Sequence, residues 1–261
     1  MKREERLVAI LDVLGESGAI NVHDLVDRFG ISPATARRDL DVLAARQLLN
    51  RTRGGASTQA LAYDLPTRFN RATNPDAKAA IARTVQSLIE PGMRIGLTGG
   101  TTARAIALEL GQRSDLEAPD GEGITVVTSA INIAAQLTIR PHIRVVVTGG
   151  VVRPRSYELV GPYSDLMLER ITLDRVFLGI NGLDAVSGPM IEDEREAKVA
   201  ALMASRADQA WVVADSSKLG ERAFATVGDF SLFTGVVIDD AIAPQQQQEL
   251  HDQGLQVIIA T

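Results

Sequence analysis

Along the first fifty residues the apolar positions recur at helical spacing. Leu7, Ile10, Leu11 and Leu14 form one stripe, predicting a helix over 3–14. Asn21 can cap a second helix that carries Leu25, Val26 and Phe29 and stops at Gly30. Ser32 is a cap, and Pro33 suits a first helical position because it needs no N–H there. In this third helix Ala36, Leu40, Leu43 and Gln47 share a face, leaving Ala34, Arg37, Arg38 and Asp41 outward. Residues 48–56 then read as a small β-hairpin carrying Arg51 and Arg53. A helix, a tight turn with Gly and a helix with basic residues near its start is the helix-turn-helix arrangement, which places its second helix in the major groove of DNA. The alternative is that these arginines are only a solvated face, in which Asp39 could hold Arg38 in a surface ion pair worth little.

The pattern changes near residue 76. A helical segment over 77–88 is followed by short apolar runs that alternate with helical stretches. Strands are expected at 94–98, 125–128, 144–148, 175–180, 211–214, 236–238 and 257–259. Helices are expected near 102–111, 130–138, 163–170, 192–206 and 244–253. Such alternation predicts an α/β domain with a mostly parallel sheet covered on both faces. The organisation is therefore 1–58 winged helix-turn-helix, 59–75 connector and 76–261 α/β domain. Pro66 and Asn74-Pro75 are expected to interrupt helix in the connector, and Tyr63, Leu65 and Phe69 to pack against a neighbour.

Ligands of such sheets bind beyond the carboxyl ends of the strands, so the loops carry the candidate chemistry. Gly99 and Gly100 let the backbone approach an anion. Thr101 and Thr102 add hydroxyls at the start of a helix whose free N–H groups and dipole favour negative charge. No Lys follows the glycines, so this is not a P-loop. Asp215-Ser216-Ser217-Lys218 offers a carboxylate for hydroxyls and an ammonium for a phosphate. Thr128, Ser129, Gly149 and Asn181 fall in further loops at the same end.

Composition narrows the classes. The chain has 27 Lys and Arg against 33 Asp and Glu, a formal charge of −6. Residues 1–58 alone carry a small positive excess, so basic charge must be focused on one face of that part to serve DNA. The absence of cysteine excludes disulfides, thiolate zinc sites and a Cys nucleophile. His23, His142 and His251 are isolated, and no metal or cofactor is expected. No run is apolar enough to cross a membrane and the first residues do not open a signal peptide, so a cytoplasmic protein is expected.

Residues 1–58 resemble the winged helix of DeoR-type bacterial transcription regulators. The matching points are Arg6, Ser32, Thr35, Arg37-Arg38-Asp39-Leu40, and Arg51 with Gly54-Gly55-Ala56. The family usually has His where this chain has Arg53. Gly99 to Thr102, Val147-Thr148-Gly149-Gly150, Arg153-Pro154, Leu159-Val160-Gly161-Pro162, Phe177-Leu178-Gly179 and Ala214-Asp215-Ser216-Ser217-Lys218 resemble the effector domain of the same regulators. That domain is similar to ribose-5-phosphate isomerase, glucosamine-6-phosphate deaminase and coenzyme A transferases.

The resemblance implies a repressor of a carbohydrate-metabolism operon that is not an enzyme. It implies an operator in double-stranded DNA contacted by Ser32, Ala34, Thr35, Arg37, Arg38, Arg51 and Arg53. It implies a phosphorylated sugar or related anion at Thr101, Thr102, Asp215 and Lys218. One winged helix covers a short site, so a homodimer or homotetramer is expected.

Asn181 stands where Asp is common, and an amide cannot act as a general base. Gly188-Pro189-Met190-Ile191 lacks the usual threonines, which points away from a standard hexose phosphate; Glu196 remains a polar partner. The alternatives are a sugar-phosphate isomerase or deaminase with a DNA-binding appendage, and a constitutive DNA-binding protein with a purely oligomerising second domain.

Overall fold

The computed structural model describes residues 6–7, 9–10, 13–14, 19–45, 49–58, 73–116 and 123–261. Leu11, Gln47, Tyr63, Leu65, Pro66 and Phe69, which carried expectations above, lie outside them. The chain divides into two compact units, Met1–Asn70 and Arg71–Thr261.

In the first unit Arg6, Leu7, Ala9, Ile10, Val13 and Leu14 are helical, and Leu7, Ile10 and Leu14 are buried. Strand β1 (Ala19–Asn21) leads into the helix Val22–Phe29, where the Asn21 side chain accepts from the Asp24 N–H. Gly30 closes that helix at φ 62°, a left-handed geometry natural to glycine. The helix Pro33–Ala45 follows. Ala36, Leu40 and Leu43 join Leu7, Ile10, Leu14 and Leu25 in one core. Strands β2 (Leu49–Thr52) and β3 (Gly55–Thr58) form the expected antiparallel wing, and β1 adds to it in the order β1-β3-β2. At three residues β1 is too short to show a period, which is why the sequence hides it. Gly55 is required there: a Cβ would stand 2.0 Å from the Ile20 carbonyl oxygen.

The second unit is α/β. After the helix Pro75–Gln86 come β4 (Arg94–Leu97), β5 (Ile124–Thr128), β6 (Ile143–Val147), β7 (Val151–Val152), β8 (Leu159–Val160), β9 (Leu173–Gly179), β10 (Gly182–Asp184), β11 (Gly188–Ile191), β12 (Ala207–Val213), β13 (Ala225–Thr226), β14 (Gly235–Asp239) and β15 (Gln256–Ala260). Seven of these form one sheet, ordered β15-β14-β12-β9-β4-β5-β6, and every pairing in it is parallel. Pro75, expected to interrupt helix, begins one instead; at that position its missing N–H has no helical partner to lose.

Alternation along the strands divides the core. Val176 and Leu178 of β9, with Val212 and Val236, face the helices Pro162–Leu168, Glu194–Ser205 and Pro244–Asp252. Phe177, with Trp211, Val213 and Val237, faces the helices Pro75–Gln86, Thr101–Leu110 and Ile131–Leu137. Period-2 burial on both faces is what a doubly covered parallel sheet demands. Two small additions, the hairpin β7-β8 and the antiparallel sheet β10-β11-β13, were absent from the sequence expectation, since strands of two to four residues are shorter than any legible pattern.

The chain begins this sheet in the middle. It lays β5 and β6 on one side of β4, then returns to place β9, β12, β14 and β15 on the other. The strand order therefore reverses between β4 and β9, and such a switch point opens a crevice beyond the carboxyl ends of the two strands.

Candidate functional site

In the first unit the helix Pro33–Ala45 is held at its start by Ser32. Its Oγ accepts from the Thr35 N–H at 3.2 Å and lies 2.9 Å from Thr35 Oγ1. Ala34, Arg37, Arg38 and Asp41 are exposed, as the spacing requires, and among the described residues neither Arg37 nor Arg38 forms an ion pair. Asp39 does not hold Arg38. It is 1% exposed and accepts from Arg6 Nε at 2.6 Å. Successive helical residues diverge by about 100°, so Asp39 on the inner face and Arg38 on the outer cannot meet. Arg6 thus fastens the first helical segment to the back of the presented helix, and the adjoining Asp39 raises its pKa. Arg51 is engaged by Asp41 Oδ1 at 2.8 Å and by the Gly55 carbonyl, while Arg53 is exposed at the turn of the wing.

In the second unit the glycine loop lies at the switch point. Thr98 Oγ1 accepts from the Gly179 N–H at 2.9 Å, and a Cβ on Gly179 would stand 2.8 Å from the Gly99 carbonyl oxygen. The ends of β4 and β9 are therefore in close contact. Gly100 has φ 98° and precedes the helix Thr101–Leu110 without a side-chain cap, so its first N–H groups carry no capping side chain. Thr101 is exposed and Thr102 buried.

Of the other loop residues, Thr128 and Ser129 are fully buried; Thr128 Oγ1 accepts from the Ala130 N–H and Ser129 Oγ donates to Glu158 at 2.7 Å. Gly149 accepts from Ser164 Oγ at 2.6 Å. Asn181 is exposed, and its Oδ1 accepts from the Glu192 N–H at 3.1 Å. β12 lies beside β9 with Val213 opposite Gly179, which brings the loop of Asp215 and Lys218 next to that of Asn181.

Asp215 is not free to take hydroxyls. It is 1% exposed, and its Oδ1 accepts from Asn74 Nδ2 at 2.9 Å and from Ser217 Oγ. Its Oδ2 faces Lys78 Nζ at 3.1 Å, an ion pair outside hydrogen-bond angles. Burial pushes this carboxyl up, but Ser217, Asn74 and Lys78 together outweigh burial and hold it below the usual range. Lys218 is half-buried, at the end of the turn Ser216–Lys218, and among the described residues its ammonium has no ion pair.

Three residues of this region were given no place in the site by the sequence. Lys78 could have been given one: it shares a helix face with Ala82 and Val85, where a lone cation demands a partner. Asn74 gave no signal. Glu158 is a single acid before an apolar pair, and it is 8% exposed between Gly99 and Ser129. Glu196 accepts from Ser156 Oγ on the same side, and Asp193 pairs with Arg153. No group of three or more His, Cys, Asp and Glu side chains among the described residues is arranged to hold a metal, and no described helix is long and apolar enough to cross a membrane.

With that geometry in place the comparisons are decisive. Residues 6–60 match the DeoR-like helix-turn-helix domain, and residues 73–240 match the DeoR C terminal sensor domain. The chain belongs to the DeoR family. It is 30% identical to the glycerol-3-phosphate regulon repressor of Escherichia coli, covering 98% of this chain and 99% of that one. It is 31% identical to the transcriptional repressor GlcR of Bacillus subtilis, over 99% and 97% of the two chains. Ribose 5-phosphate isomerase A of Methanocaldococcus jannaschii has a similar fold, with a TM-score of 0.41 and 20% identity over 56% of this chain and 55% of that one.

Proposed function

We propose that this DeoR-family regulator is a repressor released from its operator by a phosphorylated metabolite, that it is not an enzyme, and that it acts in the cytoplasm as a homodimer or homotetramer. Residues 1–58 read DNA, 59–75 connect, and 76–261 sense. Ser32, Ala34, Thr35, Arg37 and Arg38 meet the major groove, and Arg51 and Arg53 meet phosphates. The effector's phosphate sits at Gly99, Gly100, Thr101 and Thr102, with Lys218 neutralising charge. Thr128, Ser129, Gly149 and Asn181 border the crevice, and Asp215 shapes it from behind through Lys78 and Asn74.

The observation that carries this reading is the glycine loop at the switch point, opening a ten-residue helix without a capping side chain. The names of the relatives support it, since one is the repressor of a glycerol-3-phosphate regulon. Asn181 supports sensing over turnover: its carbonyl oxygen already accepts the Glu192 N–H, and an amide takes up no proton. The test is a thermal-shift panel of phosphorylated metabolites, followed by operator release with the ligand that shifts melting. Lys218→Ala and the double change Thr101→Ala with Thr102→Ala are expected to abolish release and keep operator binding. Release unchanged in both variants places the effector elsewhere, and turnover of a sugar phosphate by the parent overturns the sensor reading.

A further inference from the structure

We propose that Glu158 is the specificity-determining residue of the effector crevice, a resident carboxyl packed against the glycine loop that selects against effectors with a second negative charge beside the phosphate. The proposal rests on the reading of Gly99 to Thr102 as the anion site.

The geometry is close. Glu158 is held by backbone on both sides, in a bridge with Ala130 and through the Leu159 N–H, which donates to the Ser129 carbonyl at 2.8 Å. Its side chain is thereby laid over the ends of β4 and β5. A Cβ on Gly99 would stand 2.5 Å from Glu158 Oε1 and 2.7 Å from its Cδ, so Gly99 is glycine because this carboxyl fills the space. Ser129 Oγ donates to Glu158 Oε2 at 2.7 Å, and the Gly99 backbone N–H is among the groups that favour the ionised carboxyl. The Ser129 hydroxyl, a donor that a phosphate at this loop would use, is already taken. The remaining donors lie further along, at Gly100, Thr101 and Thr102.

Among the described residues no cation pairs with Glu158. The charged groups acting on Glu158 are Glu196 of the helix Glu194–Ser205 and Asp193, which caps it, while Arg153 of the covering hairpin pairs with Asp193. Burial, aided by Glu196 and Asp193 and opposed by Ser129 and Gly99, pushes the Glu158 carboxyl up to about 7. Near neutrality Glu158 therefore exchanges a proton readily. As the acid it donates to a phosphate oxygen; as the carboxylate it repels one. The effector class that fits is a phosphomonoester of a polyol, with hydroxyls and no carboxylate or second phosphate next to the anion.

The test uses the full chain, with glycerol 3-phosphate titrated calorimetrically between pH 7 and 8.5, where phosphate esters are already mostly dianions, and with inorganic phosphate as a second probe at pH 8.5. The parent is expected to bind more weakly as pH rises, approaching tenfold per unit above the Glu158 midpoint. Glu158→Gln keeps the shape and removes the charge, so it is expected to flatten the profile and bind at least tenfold more tightly at pH 8.5. Ser129→Ala removes the bond that favours the carboxylate, and it is expected to move the midpoint to higher pH. Binding with the same affinity and pH profile in all three proteins overturns the role of Glu158 and leaves the site standing. Absence of phosphate and glycerol 3-phosphate binding in all three, at every pH, overturns the site and this role with it.

Discussion

Arg37 and Arg38 stand exposed on a helix, with no ion pair among the described residues, whereas Gly99 and its neighbours offer the start of a helix without a side-chain cap, with Thr101 exposed and Thr102 buried. Both surfaces are read as anion-binding, but they solve different problems. A polyanion covered in counterions is held by long cationic side chains, whose gain is entropic and sensitive to salt. A small phosphate in a crevice is held by fixed dipoles that need no rearrangement and are screened little. The two surfaces also use buried charge differently. Arg6–Asp39 is spent on holding the presented helix, Lys78–Asp215 on holding a loop of the crevice, and Glu158 has, among the described residues, the neutral Ser129 hydroxyl as its donor and no ion pair.

The heaviest blow to this contrast falls on the crevice side. Asp215→Ala leaves Lys78 buried without its counterion, and breaking such a pair costs about 3–5 kcal/mol. Chemical denaturation is expected to show the sensor unit destabilised by that amount. The Asp215 carboxyl is held below its usual range, so its contribution is full above the unfolded value and lost as pH falls through the folded one. The parent's advantage over Asp215→Ala should therefore shrink in acid. An advantage that grows in acid removes the ion pair from the account.

Glu158 carries the opposite sign. Its carboxyl is raised from 4.5 to about 7, so the parent keeps full stability below the unfolded value and loses it as pH rises through the folded one. A gap of that size corresponds to roughly 3 kcal/mol. Melting followed from pH 4.5 to pH 8 is expected to show Glu158→Gln gaining on the parent by about that amount. A constant difference across the range makes Glu158 an ordinary hydrogen-bonded acid.

On the DNA side single changes are milder for the fold and larger for binding. Arg37→Ala and Arg38→Ala are each expected to weaken operator binding roughly ten- to a hundredfold, with melting unchanged, because both side chains project from a helix face that the core does not use. Fluorescence anisotropy on a labelled operator reads this directly. Unaltered affinity in both variants removes the helix Pro33–Ala45 as the reading element.

The two surfaces also differed in how far the sequence displayed them. The reading helix was legible because its evidence is local: a cap at Ser32, a proline at Pro33, and a period that puts Arg37 and Arg38 outside and Leu40 and Leu43 inside. The glycine loop was legible for the same reason. What stayed hidden depends on distant partners. Asp39 reaches Arg6 across 33 residues, Asp215 reaches Asn74 across 141, and Glu158 reaches Ser129 across 29. A carboxylate assigned to hydroxyls from its loop alone proved to be occupied, since nothing local to Asp215 announces Lys78. The short strands β1, β7, β8, β10 and β13 were hidden for another reason: two or three residues hold no period.

The wing offers the finest distinction. Arg51 and Arg53 were both read as phosphate contacts, yet Arg51 is held by Asp41 Oδ1 and the Gly55 carbonyl, while Arg53 is exposed at the turn. A phosphate can recruit Arg51 only by competing with Asp41, whose charge already neutralises it, so fewer counterions are released on binding. Arg53 meets a phosphate with its full charge. Arg53→Ala is therefore expected to cost more than Arg51→Ala, by about threefold in affinity at physiological salt, and to reduce the slope of log affinity against log salt by close to one. Arg51→Ala should change the slope by less, and Asp41→Ala should restore the full contribution of Arg51 by freeing it. Equal slopes for the two arginine variants mean that DNA displaces Asp41 from Arg51 at no cost, and that the pair in the free protein does not bear on binding.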